Sequence, residues 1–147
     1  MRQINHRLFM AAAGGAILLA GLVSTAVPAS AAGPKLTVKP TKNLTGGQTV
    51  SVSGKGFTKG DQVYVIECVI GETSTSGSGC NISGLVGPET ISSKGVLSKV
   101  SFTVQTGAIG SQGGTCGTSK ANEKDCDISV GNPSGGDSAT EDITFKA

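Results

Sequence analysis

Four cysteines, Cys68, Cys80, Cys116 and Cys126, carry the most defined chemistry in this 147-residue sequence. An even cysteine count behind an export leader reads as two disulfides. Three pairings are possible. The local one, Cys68 with Cys80 and Cys116 with Cys126, is favoured: each bridge closes a loop of about a dozen residues and contributes roughly 2–3 kcal/mol. A thiolate metal site is the weaker reading, because no CxxC spacing occurs and export favours oxidation. The single histidine, His6, falls inside the leader. The mature chain therefore has no imidazole for a Ser-His-Asp or Cys-His site, nor for a His-ligated metal. Asp125, Asp127, Asp137, Glu141 and Asp142 lack EF-hand spacing and read as solvated acids. The Gly-rich stretch from Thr106 to Thr115 is followed by neither Lys-Ser/Thr nor a helix, so it is no phosphate-binding loop. Asn43-Leu44-Thr45 and Asn81-Ile82-Ser83 match the glycosylation sequon, a short and often accidental pattern. No nucleophile motif appears, and an enzyme is the least favoured reading.

The leader is residues 1–31. Arg2, His6 and Arg7 give a basic start, Phe9 to Val27 is small and apolar, and Ala29-Ser30-Ala31 is a small-x-small cleavage motif. These features specify a secretory signal peptide, hence an extracellular protein with no membrane attachment after cleavage. No later stretch approaches the roughly 18 apolar residues of a spanning helix. The leader holds two arginines and no acid, so the mature part carries 10 lysines against 10 acids. A neutral domain has no electrostatic grip on a phosphate backbone, which argues against independent DNA binding.

The roughly 116 residues of 32–147 are enough for one domain with one core. The chain is organised around Gln48 to Cys68. Val50 and Val52 alternate with polar residues, as a half-buried strand does; Val63 to Ile66 has no polar face and reads as a central strand. Gly56 and Gly60 permit the reversal between them, with Phe57 capping the core. Leu36 to Val38 reads as an edge strand before Pro40, and Asn43 to Gly47 as a turn. Gly71 to Gly79 is a polar loop. Further strands are expected at Thr90 to Ser92, at Val96 to Val104 with Val96, Ser98, Val100, Phe102 and Val104 on the buried side, at Asp127 to Val130, and at Ile143 to Phe145. Thr106 to Thr115 is expected to be a loop. About seven short strands, with turns every 8–12 residues, predict an all-β sandwich.

The order of these pieces resembles the neocarzinostatin family, the secreted apoproteins of enediyne chromoprotein antibiotics from actinomycetes. The likeness runs over nearly the whole mature chain: Leu36-Thr37-Val38-Lys39-Pro40, Leu44, Gly47 to Val52, Gly56-Phe57, Gly60, Cys68, Cys80-Asn81, Gly95, Gly114-Thr115-Cys116, Cys126 and Ile143-Thr144-Phe145. It implies a seven-stranded immunoglobulin-like β-sandwich with a ligand cleft at one end, and the two local disulfides. It also implies a non-covalently held enediyne-like chromophore, no metal and a monomer. In that family the released chromophore, not the protein, attacks DNA.

Carried over by position, the cleft is lined by Cys68, Ile70, Cys80, Leu85, Asp127, Ser129 and Gly131, with Ile109 from the Gly-rich stretch. The alternation agrees in part, since Ile128 and Val130 face the core and so turn Asp127 and Ser129 towards the cleft. Known carriers have Gly-Gln-Cys where this chain has Ile66-Glu67-Cys68, and Ile66 would fill some of the cleft floor. Aliphatic Ile70 and Leu85 stand where the best-known carrier has aromatic rings, which reduces stacking surface. The expected function is a secreted carrier of a small apolar ligand. The alternative is a secreted immunoglobulin-like interaction module without the chromophore.

Overall fold

The structure is a computed structural model that describes residues 32–72, 78–111 and 114–146. The leader expected at 1–31 and the middle of the polar loop, 73–77, lie outside the described residues.

Nine strands are present among the described residues. β1 (Lys35–Lys39), β2 (Thr49–Lys55) and β5 (Val96–Thr103) form one antiparallel sheet in the order β1-β2-β5. β4 (Val86–Thr90), β3 (Gln62–Val69), β8 (Cys126–Gly131) and β9 (Ser138–Ile143) form the second, in that spatial order. Period-two alternation turns Leu36, Val38, Val50, Val52, Val63, Val65, Ile128 and Val130 into one shared core. These seven strands are the sandwich that the spacing predicts. β6 (Gly107–Ile109) and β7 (Gly114–Cys116) form an added two-stranded ribbon.

The β2–β3 turn works as its residues suggest. Gly56 and Gly60 have φ of 86° and 82°, and Phe57 is buried at the end of the core. The Asp137 carboxylate accepts from the Thr58 backbone N–H, which fastens this turn to the one between β8 and β9.

Several expectations are corrected. The strand placed at Thr90 to Ser92 lies earlier, at Val86–Thr90, and Ile91 follows it as a buried core residue. In β5 the pairing steps from Val52↔Val100 to Gly54↔Leu97, so one extra residue enters on β5. That bulge reverses the alternation. Leu97 is buried while Val96 and Ser98 are exposed, and only Val100, Phe102 and Val104 of the expected face are buried. The stretch from Thr106 to Thr115 is the β6–β7 ribbon rather than a plain loop. The last strand runs over Ser138–Ile143; Phe145 lies beyond it, in an isolated parallel bridge with Leu44.

Candidate ligand cleft

One wall of the cleft is the hairpin that follows β3. Cys68 faces Cys80 in an antiparallel bridge, flanked by Val69 N–H donating to Gly79 O and Asn81 N–H donating to Glu67 O, each at 2.8 Å. The two cysteines thus form a narrow, non-hydrogen-bonded pair, with Cα atoms 4.0 Å apart, and are joined by a disulfide. The bridge covers Ile66, making a small buried cluster on the face of β3 opposite the main core. A single 3-10 turn over Ile82–Gly84 comes next. The Asn81 side-chain oxygen accepts from Gly84 N–H at 3.2 Å and from the Ser83 hydroxyl at 2.8 Å. The Asn81 side chain is therefore a buried cap, committed to the fold rather than to the surface its sequon would need.

The facing wall is the ribbon. The Cys116–Cys126 disulfide ties β7 to the first residue of β8. At the other side the chain leaves β5 through Gln105, whose N–H donates to Glu67 Oε2 at 2.8 Å. The ribbon turn passes so near the hairpin that a Cβ on Gly110 (φ 70°) would lie 2.8 Å from Cys80 N. Gly110 is thus a close-approach glycine.

Between the walls lies a cavity of about 500 Å³, lined by Cys80, Asn81, Ile82, Ser83, Gln105, Ala108, Gly110 and Ser111. That volume suits a small organic ligand. Ile82, Ala108 and the disulfide offer apolar surface, while the remaining groups are short and polar.

Of the residues expected at the site, Cys80 lines this cavity. Ile109 is on the expected ribbon, but alternation sends it into the main core and leaves Ala108 on the cleft side. Cys68, the other half of the disulfide, is buried and does not line the cavity. Asp127 and Ser129 are buried opposite Cys68 and Ile66, and Gly131 is buried opposite Tyr64. Ile70 and Leu85 are 46% and 39% exposed. Sequence reasoning missed Asn81, Ile82, Ser83, Gln105 and Ala108. Their signal was present but overlooked: an Asn-x-Ser turn directly after a cysteine, and a small residue alternating with Ile109.

The cleft region also buries charge. Glu67 is fully buried, and that burial pushes its carboxyl up to about 7. The hydrogen bond from Gln105 pulls the other way, and the nearby charge of Asp127 adds to the rise. Asp127 is likewise raised to about 7, first by burial and then by the charge of Asp142. Glu67 Oε1, Asp127 Oδ1 and Asn81 Nδ2 are buried without a hydrogen-bond partner in the structure. Among the described residues, no group of three or more His, Cys, Asp or Glu side chains is placed to hold a metal ion.

The profile of the neocarzinostatin family matches residues 36–145, which takes in both walls of the cleft. The chain belongs to the neocarzinostatin family. Macromomycin of Streptomyces macromomyceticus is 31% identical over 142 residues, covering 96% of this chain and 97% of its own. The solved structure of macromomycin superposes with a TM-score of 0.54 at 30% identity, over 76% of this chain and 98% of that one. The solution conformation of apokedarcidin covers 78% of this chain and 99% of its own at 27% identity, with a TM-score of 0.48. The matched stretch, residues 36–145, includes the hairpin and the ribbon as well as the strands of the sandwich.

Proposed function

We propose that the protein is a secreted apoprotein-type carrier, not an enzyme, which binds and shelters a small apolar ligand of the enediyne chromophore class. Antibiotic action and DNA cleavage would then belong to the ligand. The observation that carries this reading is the 500 Å³ cavity between the Cys68–Cys80 hairpin and the ribbon, in a chain of this family. Ile82 and Ala108 supply apolar walls, and Asn81, Ser83 and Gln105 supply the few polar groups that orient a ligand in such sites. Ile70 and Leu85 are exposed and lie outside the cavity lining. Cys68, Asp127 and Ser129 are buried at the hairpin end of β3 and β8, whereas Gly131 pairs with Tyr64 farther along the strand; Ile109 anchors the ribbon in the core. Burying an aliphatic side chain against a ligand contributes about 1.5–3 kcal/mol at most, so a few such contacts, less the cost of immobilisation, give micromolar affinity. With 10 lysines balancing 10 acids, the ligand-free domain is expected not to shift DNA in a gel at physiological salt.

A second reading rests on three exposed apolar residues that flank Cys68 and Cys80 in sequence, Ile70, Ile82 and Leu85. A protein partner seated there would make the chain an interaction module. Fluorescence titration with a naphthoate probe separates the two. Micromolar binding that Ile82→Asp weakens at least tenfold supports the carrier. Absence of binding at any accessible concentration sinks the carrier and leaves the module.

A further inference from the structure

The charges of the domain cancel in sum but not in place. Residues 33–60 and 91–122, which include β1, β2 and β5, hold eight of the ten lysines and no acid. Every Asp and Glu falls in the remaining stretches, which carry the four-stranded sheet.

Three of these lysines meet. Lys35 on β1 and Lys55 on β2 are directly opposite one another in the antiparallel register. Leu36 and Val38 turn inward, so Lys35 and Lys55 share the outer face, with Cα atoms about 4.5–5.5 Å apart. Like charges so placed oppose strand pairing. Lys94, from the turn before β5, lines the same cavity of about 450 Å³. The other walls are small: Gly33 on the N-terminal segment, Gly56, and the exposed Val96 at the start of β5. The concavity has a backbone cause. A Cβ on Gly56 (φ 86°) would lie 3.3 Å from Pro34 Cα, so the N-terminal segment packs directly against this glycine. No carboxylate lines the cavity. The one ion pair among the described residues, Lys120 with Glu123, involves none of the three lysines. Protection of a sheet edge accounts for Lys35, which is on an outer strand. It does not account for Lys55, since β2 is paired on both sides, or for Lys94, which is in a turn.

We propose that Lys35, Lys55 and Lys94 form an anion site for a small phosphorylated ligand, a phosphate monoester or diphosphate. Three ammonium groups call for more than one negative charge. A carboxylate leaves two of them uncompensated, whereas a phosphate monoester brings close to two charges and a diphosphate more. Lysine holds phosphate as a point charge without a fixed fork geometry, so flexible side chains from three elements can converge on one group. The volume leaves room for an organic part beside the phosphate, against Val96. Cleavage of the leader after Ala31 would add the α-ammonium of Ala32, which lines the same cavity. Duplex DNA spreads single charges along a line and cannot gather them into one cavity, in keeping with the expected absence of a gel shift.

The site is separate from the ligand cleft. β5 begins at this cavity with Val96 and ends beside the cleft with Thr103, about 20–25 Å away. The proposal therefore stands whether or not the carrier reading does.

Inorganic pyrophosphate titrated into the isotope-labelled folded protein at low ionic strength, followed by amide NMR, tests the site. Signals of Lys35, Lys55, Gly56, Lys94 and Val96 should move together and saturate with a dissociation constant on the order of 10⁻⁴ M, while those of Cys80, Gln105 and Ala108 stay in place. Physiological ionic strength should weaken binding about tenfold. Lys55→Gln and Lys94→Gln should each weaken it about three- to tenfold, and acetate should bind at least about tenfold more weakly than pyrophosphate. Without phosphate, Lys55→Gln should be no less stable than wild type in thermal unfolding, because it removes a like-charge pair. A variant that loses stability along with binding counts against the proposal. The absence of a saturable shift, acetate binding as tight as pyrophosphate, or a response that survives Lys35→Gln/Lys55→Gln overturns it. So does tighter binding to duplex DNA or to phosphatidylglycerol vesicles than to pyrophosphate, which would put a polymer or a membrane on this face instead. Naphthoate affinity at the cleft should be equal in Lys55→Gln and wild type. Failure of that probe to bind counts against the carrier, whereas the pyrophosphate titration decides the anion site.

Discussion

Asp127 and Asp142 stand directly opposite one another across β8 and β9, two like charges on the same face of the sheet. Directly opposed like charges destabilise a strand pair. Here the conflict is reduced by asymmetry: Asp142 is exposed and Asp127 is buried, so the buried acid keeps its proton to about pH 7. Its folded value is raised from 3.8, so the unfolded chain releases this proton first as pH rises. Stability attributable to Asp127 is therefore greatest below about pH 4, declines up to about pH 7 and is flat beyond. The loss is at most on the order of 4 kcal/mol, and solvent screening makes it smaller. Urea unfolding of wild type and Asp127→Asn across this range should show the slope reduced in the variant; equal slopes would refute the assignment.

The disulfide on the hairpin should matter to the wall as well as to the fold. Cys68 and Cys80 are 12 positions apart, so losing the bridge in a Cys68→Ala/Cys80→Ala double variant should cost roughly 2–3 kcal/mol in guanidinium unfolding. The same variant uncovers Ile66. Binding of an apolar dye in the native baseline should therefore rise, which a purely global destabilisation does not require.

Two glycines with positive φ should respond differently to alanine. Gly117 has φ of 58°, and a Cβ there would lie 2.6 Å from the Phe145 Cβ. Gly117→Ala combines backbone strain with a clash in the core and should cost more than about 2 kcal/mol. Gly60, at φ 82°, has nothing within 4 Å of the added atom, so Gly60→Ala should cost only about 1 kcal/mol. Thermal unfolding of the two variants side by side checks the order.

Ile66 is fully buried under the disulfide and does not reach the cavity lining. Ile66→Ala should thus destabilise the protein by about 2–4 kcal/mol through the void it leaves. Probe affinity at the cleft should change by less than threefold, as measured under conditions where the variant remains folded.

The sandwich was legible because its signals are local. Alternation in β1 and β2, the unbroken apolar run of β3 and the glycines of the β2–β3 turn each state their structure within a few residues. The β5 bulge was not legible, since one extra residue is defined only by the partner strand it opposes. The ribbon was hidden for a different reason. Gly107–Ile109 and Gly114–Cys116 have little β-propensity of their own and are held by Cys116–Cys126, by Gln105 and by the close approach at Gly110. The lining of the cavity differs from the expected residues because it depends on which of two adjacent residues turns inward, as with Ala108 and Ile109. Glu67 could not be recognised at all, because an acid in a hydrophobic strand becomes informative only once its neighbours are known.

The two sheets end in four outer strands, and each of them discourages a neighbouring molecule from adding a strand of its own. β1 places Lys35 and Lys39 at its exposed ends, and β4 interrupts its donors with Pro88. β5 is broken by its bulge next to Lys99, and β9 carries Glu141 and Asp142. Charges, a missing N–H and a kink are the devices that keep open sheet margins from templating aggregation. Each open margin of the two sheets thus carries its own obstacle to edge-to-edge pairing, although its outward N–H and C=O groups stay unpaired within the molecule.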